Sequence, residues 1–218
     1  MEQVQTVGRQ SKYLAQLIRN DGTSIWGEIS AHWNIDPKDQ VPYVEGMLSD
    51  ITERRRAELD LERRATRDSL TGVYSRECFV EKLGSILSTA GYTNTVFAVL
   101  FLDVDNFKEV NDTYGHHSGD IVLKEFVRRV NAQIREGDIF GRIGGDEFCI
   151  VLEGIRSVAD ANAVADKIRS VVTTPVPGVD ASIKIGVSIG VSTFPEDGNT
   201  PEGLLAKADQ AMYLDKRS

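Results

Sequence analysis

The sequence predicts an α/β fold, a sandwich on a mixed sheet, preceded by a small antiparallel β segment and a helical connector. Three observations carry that expectation. From residue 76 onward, stretches of helix length interleave with apolar runs of strand length, the pattern of helices packed on a sheet. Two of those runs, 139–143 and 148–152, are joined by Gly144, Gly145, Asp146 and Glu147, a hairpin signal inside that sheet. Before residue 53 the chain instead alternates between two faces around the turns at 20–22 and 36–39.

The elements follow in order. Residues 13–19, the turn Asn20, Asp21, Gly22, and residues 24–33 form a hairpin pattern with Ile25, Gly27, Ile29 and Ala31 on one face and Trp26, Glu28, Ser30 and His32 on the other. A third strand covers 41–48, and three strands without a covering helix are marginal alone. Residues 53–67 (ERRRAELDLERRATR) are charged and lack Gly and Pro, so they predict an exposed helix with Ala57, Leu61 and Ala65 on one stripe. Beyond it come a helix over 76–88, a strand over 96–102, a helix over 119–135, the hairpin over 139–152, a helix over 157–173, a strand over 183–192 and a helix over 202–216. There is no internal repeat or low-complexity tract.

The 218 residues are 41% hydrophobic and 27% charged, enough for one ordinary domain with a real core plus something smaller. A net charge of −8 and a pI near 5.0 repel an extended nucleic acid, whereas a single nucleotide held through a divalent cation is compatible with that field. Cys78 and Cys149 stand beside apolar residues and outside any metal-ligand spacing, which predicts buried free thiols in a reducing cytoplasm. Residues 1–10 contain no apolar leader core, and no apolar run approaches the ~20 residues of a membrane helix, so the expected chain is soluble with no membrane segment.

Two acidic clusters carry the chemistry. A Gly-Gly pair predicts a two-residue primed turn with positive φ and an uncovered backbone, and Asp146 and Glu147 just after it cannot be buried without partners. The run VFAVLFL at 96–102 reads as a central strand covered on both faces, and it stops at Asp103, Val104 and Asp105. Asp103 and Asp105 leave one face, while Asp146 and Glu147 diverge, so each pair needs sorting into ligand and bystander. A strand-end carboxylate beside an acid-bearing glycine turn suits Mg²⁺, which takes few protein carboxylates and completes its shell with substrate phosphates. Taken singly, these residues also fit an acid-tipped hairpin, with Lys108 a solvated loop lysine and Asn111 and Asp120 a turn residue and a helix N-terminal acid.

Together, FLDVDNFKEVNDTYGHHSGD at 101–120, GGDEF at 144–148 and DSLTGVYSR at 68–76 resemble, in order and spacing, the GGDEF family of diguanylate cyclases, over roughly residues 66–217. The resemblance implies the palm-like fold of nucleotide cyclases and polymerases and a bacterial signalling transferase. That enzyme condenses two GTP into cyclic di-GMP and two pyrophosphates as a homodimer, with Mg²⁺ as cofactor and Mn²⁺ as the other ion accepted. It implies Asp103, Asp146 and Glu147 as catalytic acids and, with the carbonyl of Val104, as metal ligands. Asp105 is the bystander. Lys108 and Lys216, with the amides of Asn106 and Phe107, would hold phosphates. Asn111 and Asp120 would read guanine between the apolar walls Leu70, Phe107 and Leu123, and His116 would be structural. The family normally continues past Lys216 with Gly, Arg and Asn, whereas Ser218 is the last residue here; one phosphate-binding arginine fewer is expected to weaken GTP binding by ~1.5 to 3 kcal/mol. Arg135 and Asp138 form an RxxD pattern at the spacing of the family's product-inhibition site.

Residues 11–51, with the tail Asp50, Ile51, Thr52 and Glu53, resemble the C-terminal half of a PAS domain leading into an output helix, without the strands and helices that complete a PAS pocket. The expected organisation is a partial PAS domain at 1–52, a helical signalling linker at 53–67 that pairs with its twin in a dimer, and a GGDEF domain at 68–218. The competing function is a weak or inactive module that binds GTP or cyclic di-GMP, against which the intact Asp103, Asp146, Glu147, Asn111 and Asp120 argue.

Overall fold

A computed structural model of the protein describes residues 11–57, 66–93, 95–180 and 183–217. The chain divides into two compact units between residues 63 and 64. Leu61 and Ala65 of the expected linker stripe lie outside the described residues.

The first unit is an antiparallel sheet of β1 (Ser11–Ile18), β2 (Ser24–Ile35) and β3 (Pro42–Asp50), in that order. Tyr13 faces Ile29 and Ile29 faces Leu48, so Ile25, Gly27, Ile29 and Ala31 share a face, as the alternation predicts. Leu17 and Leu48 close over Gly27, where a Cβ would lie 2.7 and 2.8 Å from their Cδ1 atoms. Trp26, on the opposite face, carries the Arg55 guanidinium 4.1 Å from its ring centroid. At the exit from β3, Asp50 accepts from Arg19 at 2.5 Å and from the Thr52 amide at 3.0 Å, and the Thr52 hydroxyl accepts from the Trp26 amide. Residues 52–57 then turn helical.

The second unit is built on a four-stranded sheet in the order β5 (Ile139–Arg142), β6 (Glu147–Glu153), β4 (Phe97–Asp105), β7 (Gly186–Phe194). These strands pair antiparallel throughout, and the parallel element is confined to a bridge between Tyr74 and Gly141 beside β5. The run from Phe97 to Val104 is buried, as expected of a strand between two layers. α1 (Arg76–Thr93) and α5 (Pro201–Asp215) cover the face carrying Phe97, Val99, Phe101 and Cys149. α3 (His116–Asn131) and α4 (Val158–Val172) cover the other, which carries Ala98, Leu100, Leu102 and Ile150. Cys78 and Cys149 are both buried and unbridged.

Two features lock the helices. The buried Arg129 donates to the carbonyls of Val172, Thr174 and Pro175 at 2.7 to 2.8 Å and to Glu125 at 2.9 Å, satisfying carbonyls at the end of α4 that no helical amide reaches. On the other face α5 rests on β7 at Gly190, where any Cβ would collide with the Ala208 carbonyl and the Met212 amide. The expected helix over 119–135 is instead α3, beginning at His116, and a short α2 (Phe107–Tyr114) precedes it. α2 starts from Asn106 at φ 59° with no side-chain cap and stops at Gly115 at φ 80°, so the usual capping signal is missing from the sequence.

Candidate active site

The site forms where β4 ends against the β5–β6 hairpin. The register sets Asp103 opposite Glu147 on one side and opposite Ser188 on the other. The hairpin departs from the expected primed turn. Strand β5 ends at Arg142 and β6 begins at Glu147, and neither Gly144 nor Gly145 has positive φ. The amides of Ile143 and Gly144 both donate to the Glu147 carbonyl, at 2.9 and 3.3 Å, which closes a wider loop without left-handed backbone. A Cβ at Gly144 would lie 2.6 Å from Glu147 Oε2, so a larger residue there would push the Glu147 carboxylate aside.

Arg142 shapes this loop from below. Its Nε and Nη2 donate to the Gly145 carbonyl at 3.0 and 2.6 Å, its Nε to the Gly144 carbonyl at 3.2 Å, and its Nη1 to Asp68 at 3.0 Å. Burial alone would raise the Asp68 carboxyl, but the Thr71 hydroxyl and amide together with Arg142 hold it below the usual carboxylate range. The turn at 68–71 therefore clamps the glycine loop, and Arg142 is the residue that sequence reasoning passed over. Its signal was a lone charge within the apolar run before Gly144.

The acids crowd together. Asp103 is buried, and Asp146 and Glu147 are half-buried. Burial, then the neighbouring Asp103, pushes the Asp146 carboxyl up; Glu147 is pushed up by burial, then by Asp103, Asp146 and Asp209. The Asp146 carbonyl accepts from the Val104 amide at 3.1 Å, tying the loop to the end of β4. Lys216, just past α5, places Nζ 2.6 Å from Asp103 Oδ1, and that bond raises the lysine's pKa. Asp105 accepts from the Ser188 hydroxyl at 2.6 Å. Glu147 also borders, with Arg76, Ile143 and Asp209, an open cavity of about 270 Å³.

Among the described residues no group of three or more acidic, His or Cys side chains is placed to hold a metal ion by itself. The donor set nevertheless fits Mg²⁺. Asp103, Asp146 and Glu147 supply hard oxygen donors, the ligand type that Mg²⁺ takes in small number.

Beside these acids the left-handed Asn106 turns the chain into α2, with Phe107 and an exposed Lys108 in its first turn. Asn111 lies against Gly119 of α3, where a Cβ would strike its Oδ1, so the glycine makes room for the Asn111 amide. Leu123 is buried in the core, and Leu70 and Phe107 are half-buried against it. His116 is exposed at the start of α3.

Arg135 and Asp138 occupy the turn between α3 and β5. The Asp138 carboxylate accepts from the Arg135 amide at 2.8 Å, and the Asp138 amide donates to the Arg135 carbonyl at 3.0 Å. With Arg156 and Lys167 they line an open cavity of about 440 Å³ that shares no lining residue with the acidic cluster.

Residues 65–218 match the family described as Diguanylate cyclase, GGDEF domain. The chain belongs to the GGDEF family. Diguanylate cyclase TpbB of Pseudomonas aeruginosa is 41% identical over 158 residues, 72% of this chain and 36% of that protein. The chain thus spans about a third of the length of such curated relatives. The solved GGDEF domain of TpbB superposes with a TM-score of 0.67 at 41% identity, over 69% of this chain and 88% of that one. The coiled coil and GGDEF domain of DgcB from Caulobacter crescentus, in complex with c-di-GMP, gives a TM-score of 0.69 at 26% identity, over 76% of this chain and 88% of that one. No described helix of the chain is long and apolar enough to cross a membrane. Within this GGDEF domain the fold gathers Asp103, Asp146, Glu147 and Lys216 at one end of the sheet, places Asn111 beside Gly119, and keeps Arg135 and Asp138 apart from the acidic cluster.

Proposed function

We propose that this GGDEF domain is a Mg²⁺-dependent diguanylate cyclase, with Mn²⁺ as a substitute ion, that condenses two GTP into cyclic di-GMP and two pyrophosphates as a homodimer. The observation that carries the reading is the convergence of Asp103, Asp146 and Glu147 at the end of β4, with Lys216 bonded to Asp103. Asp103, Asp146, Glu147 and the Val104 carbonyl would hold divalent cations, which when bound supply Lewis-acid stabilisation of entering and leaving oxygens in an in-line displacement. Lys108, Lys216 and the amides of Asn106 and Phe107 would orient the triphosphate. Asn111 and Asp120 would pair with the guanine edge, with Leu70, Phe107 and Leu123 as apolar walls. Each domain then holds one GTP and contributes half of the product, so two domains must face each other.

Residues 1–52 are read as the C-terminal part of a PAS domain and 53–67 as the helical linker that brings the two cyclase domains together. Two buried free thiols suit the cytoplasm, where GTP is also available. Arg135 and Asp138 are read as a product-inhibition site, since an arginine fork suits a phosphate or a guanine edge. Arg135→Ala is therefore expected to raise the cyclic di-GMP concentration that halves synthesis while leaving the initial rate unchanged. Wild-type protein that takes up no cyclic di-GMP in calorimetry would return the pair to a purely structural role.

The half-site reading is tested by measuring synthesis per molecule over a hundredfold dilution. Specific activity should climb with protein concentration. A flat profile, with a monomeric mass by light scattering, would exclude the two-domain mechanism. Absent turnover in protein that still binds cyclic di-GMP would favour a non-catalytic binding module.

A further inference from the structure

Asp103 is the most enclosed of the three acids, its side chain only 10% exposed, and a buried carboxylate is costly without a partner. Its neighbours make matters worse, because Asp146 and Glu147 are both acidic. Arg142 is committed to Asp68 and to the glycine-loop carbonyls. Among the described residues the cation that meets Asp103 is Lys216, at 2.6 Å.

That contact has a steric and an electrostatic consequence. The ammonium occupies Oδ1 of a carboxylate that would serve a metal, and a dication brought beside an ammonium is repelled by several times the interaction of exposed charges in water. The lysine is nevertheless placed to leave. It follows the last turn of α5, and its side chain is 42% exposed, so it can swing without disturbing the core.

Resting on the metal-site reading above, we propose that Lys216 is the resident counter-ion of Asp103: it holds the metal site shut in the nucleotide-free protein and passes to the triphosphate when nucleotide and metal arrive together. The exchange leaves each charge paired at both stages. Lys216 neutralises Asp103 before binding; afterwards the dication neutralises Asp103 while the lysine meets phosphate oxygen. Metal uptake is thereby coupled to nucleotide uptake through one side chain, and free Mg²⁺ alone fills the site poorly. The same lysine serves binding in one state and opposes it in the other, so its removal has effects of opposite sign on the two ligands.

The test titrates Mn²⁺ into the full chain, reading free Mn²⁺ by electron paramagnetic resonance, with and without the non-condensing analogue guanosine 5′-(α,β-methylene)triphosphate. For Lys216→Gln the nucleotide-free Mn²⁺ affinity should rise roughly tenfold while analogue affinity falls, shrinking the coupling between the two. Lys216→Met, equally uncharged, should reproduce the result and exclude a new ligand from the amide. Unchanged nucleotide-free Mn²⁺ affinity in both variants would overturn the counter-ion role while leaving the metal site standing. Analogue-driven Mn²⁺ uptake that survives Asp103→Asn would instead remove the metal site itself.

Discussion

Glu147→Gln and Asp146→Asn are each expected to lower cyclic di-GMP synthesis by at least about 10³-fold, with thermal unfolding unchanged or slightly raised. The size follows from what single groups contribute at a developing charge, where even a neutral donor is worth ~10² to 10³ and a metal ligand more. The sign of the stability effect follows from the raised carboxyls. Both acids have folded-state pKa values above their ordinary ones, chiefly from burial and then from Asp103, so at neutral pH the folded state carries a charge that the unfolded state holds more easily. That penalty is relieved as pH falls through the folded pKa, and a neutral amide relieves it permanently. Activity and stability should therefore separate, as measured by initial-rate assays beside thermal melting. Turnover retained in both variants with unchanged melting would remove these acids from the chemistry.

Gly190→Ala is expected to be the most damaging conservative change in the domain. A methyl at that position meets the backbone of α5, at the Ala208 carbonyl and the Met212 amide, and backbone cannot rotate aside as a side chain can. Overpacking of this kind costs about 3 kcal/mol, the upper end of its usual range. For a domain of this size that corresponds to a melting temperature lower by roughly 6 to 12 °C. Since α5 also carries Lys216 toward Asp103, the helix shift should weaken nucleotide binding in whatever folded protein remains. Gly145→Ala is the control: its Cβ would meet nothing within 4 Å and its φ is not positive, so melting should stay close to that of the unchanged chain. Equal melting of the two variants would contradict the packing account.

What the sequence makes legible here is mostly local. The buried β4 follows from an uninterrupted apolar run, the first sheet from strict alternation, and the long helices from their position between strands. The acids at 103, 146 and 147 are legible because hard-oxygen ligands stand at a strand end and after a glycine pair. The loop geometry is not, since a glycine pair suggests positive φ and neither Gly144 nor Gly145 adopts it. α2 escapes detection because its start is a left-handed asparagine without a capping bond. The pairings that organise the site are hardest to read: Arg142 meets Asp68 across 74 residues of chain and Lys216 meets Asp103 across 113. No periodicity or spacing rule reaches that far, so those partners emerge only once the sheet has brought its ends together.

The most direct measurement is to incubate the purified chain at high concentration with GTP and Mg²⁺, separate the nucleotides by chromatography and assay pyrophosphate. The account predicts conversion of GTP to cyclic di-GMP with two pyrophosphates released per product, and none of either in protein carrying Glu147→Gln. GTP recovered intact, from folded protein that binds the nucleotide, would contradict it.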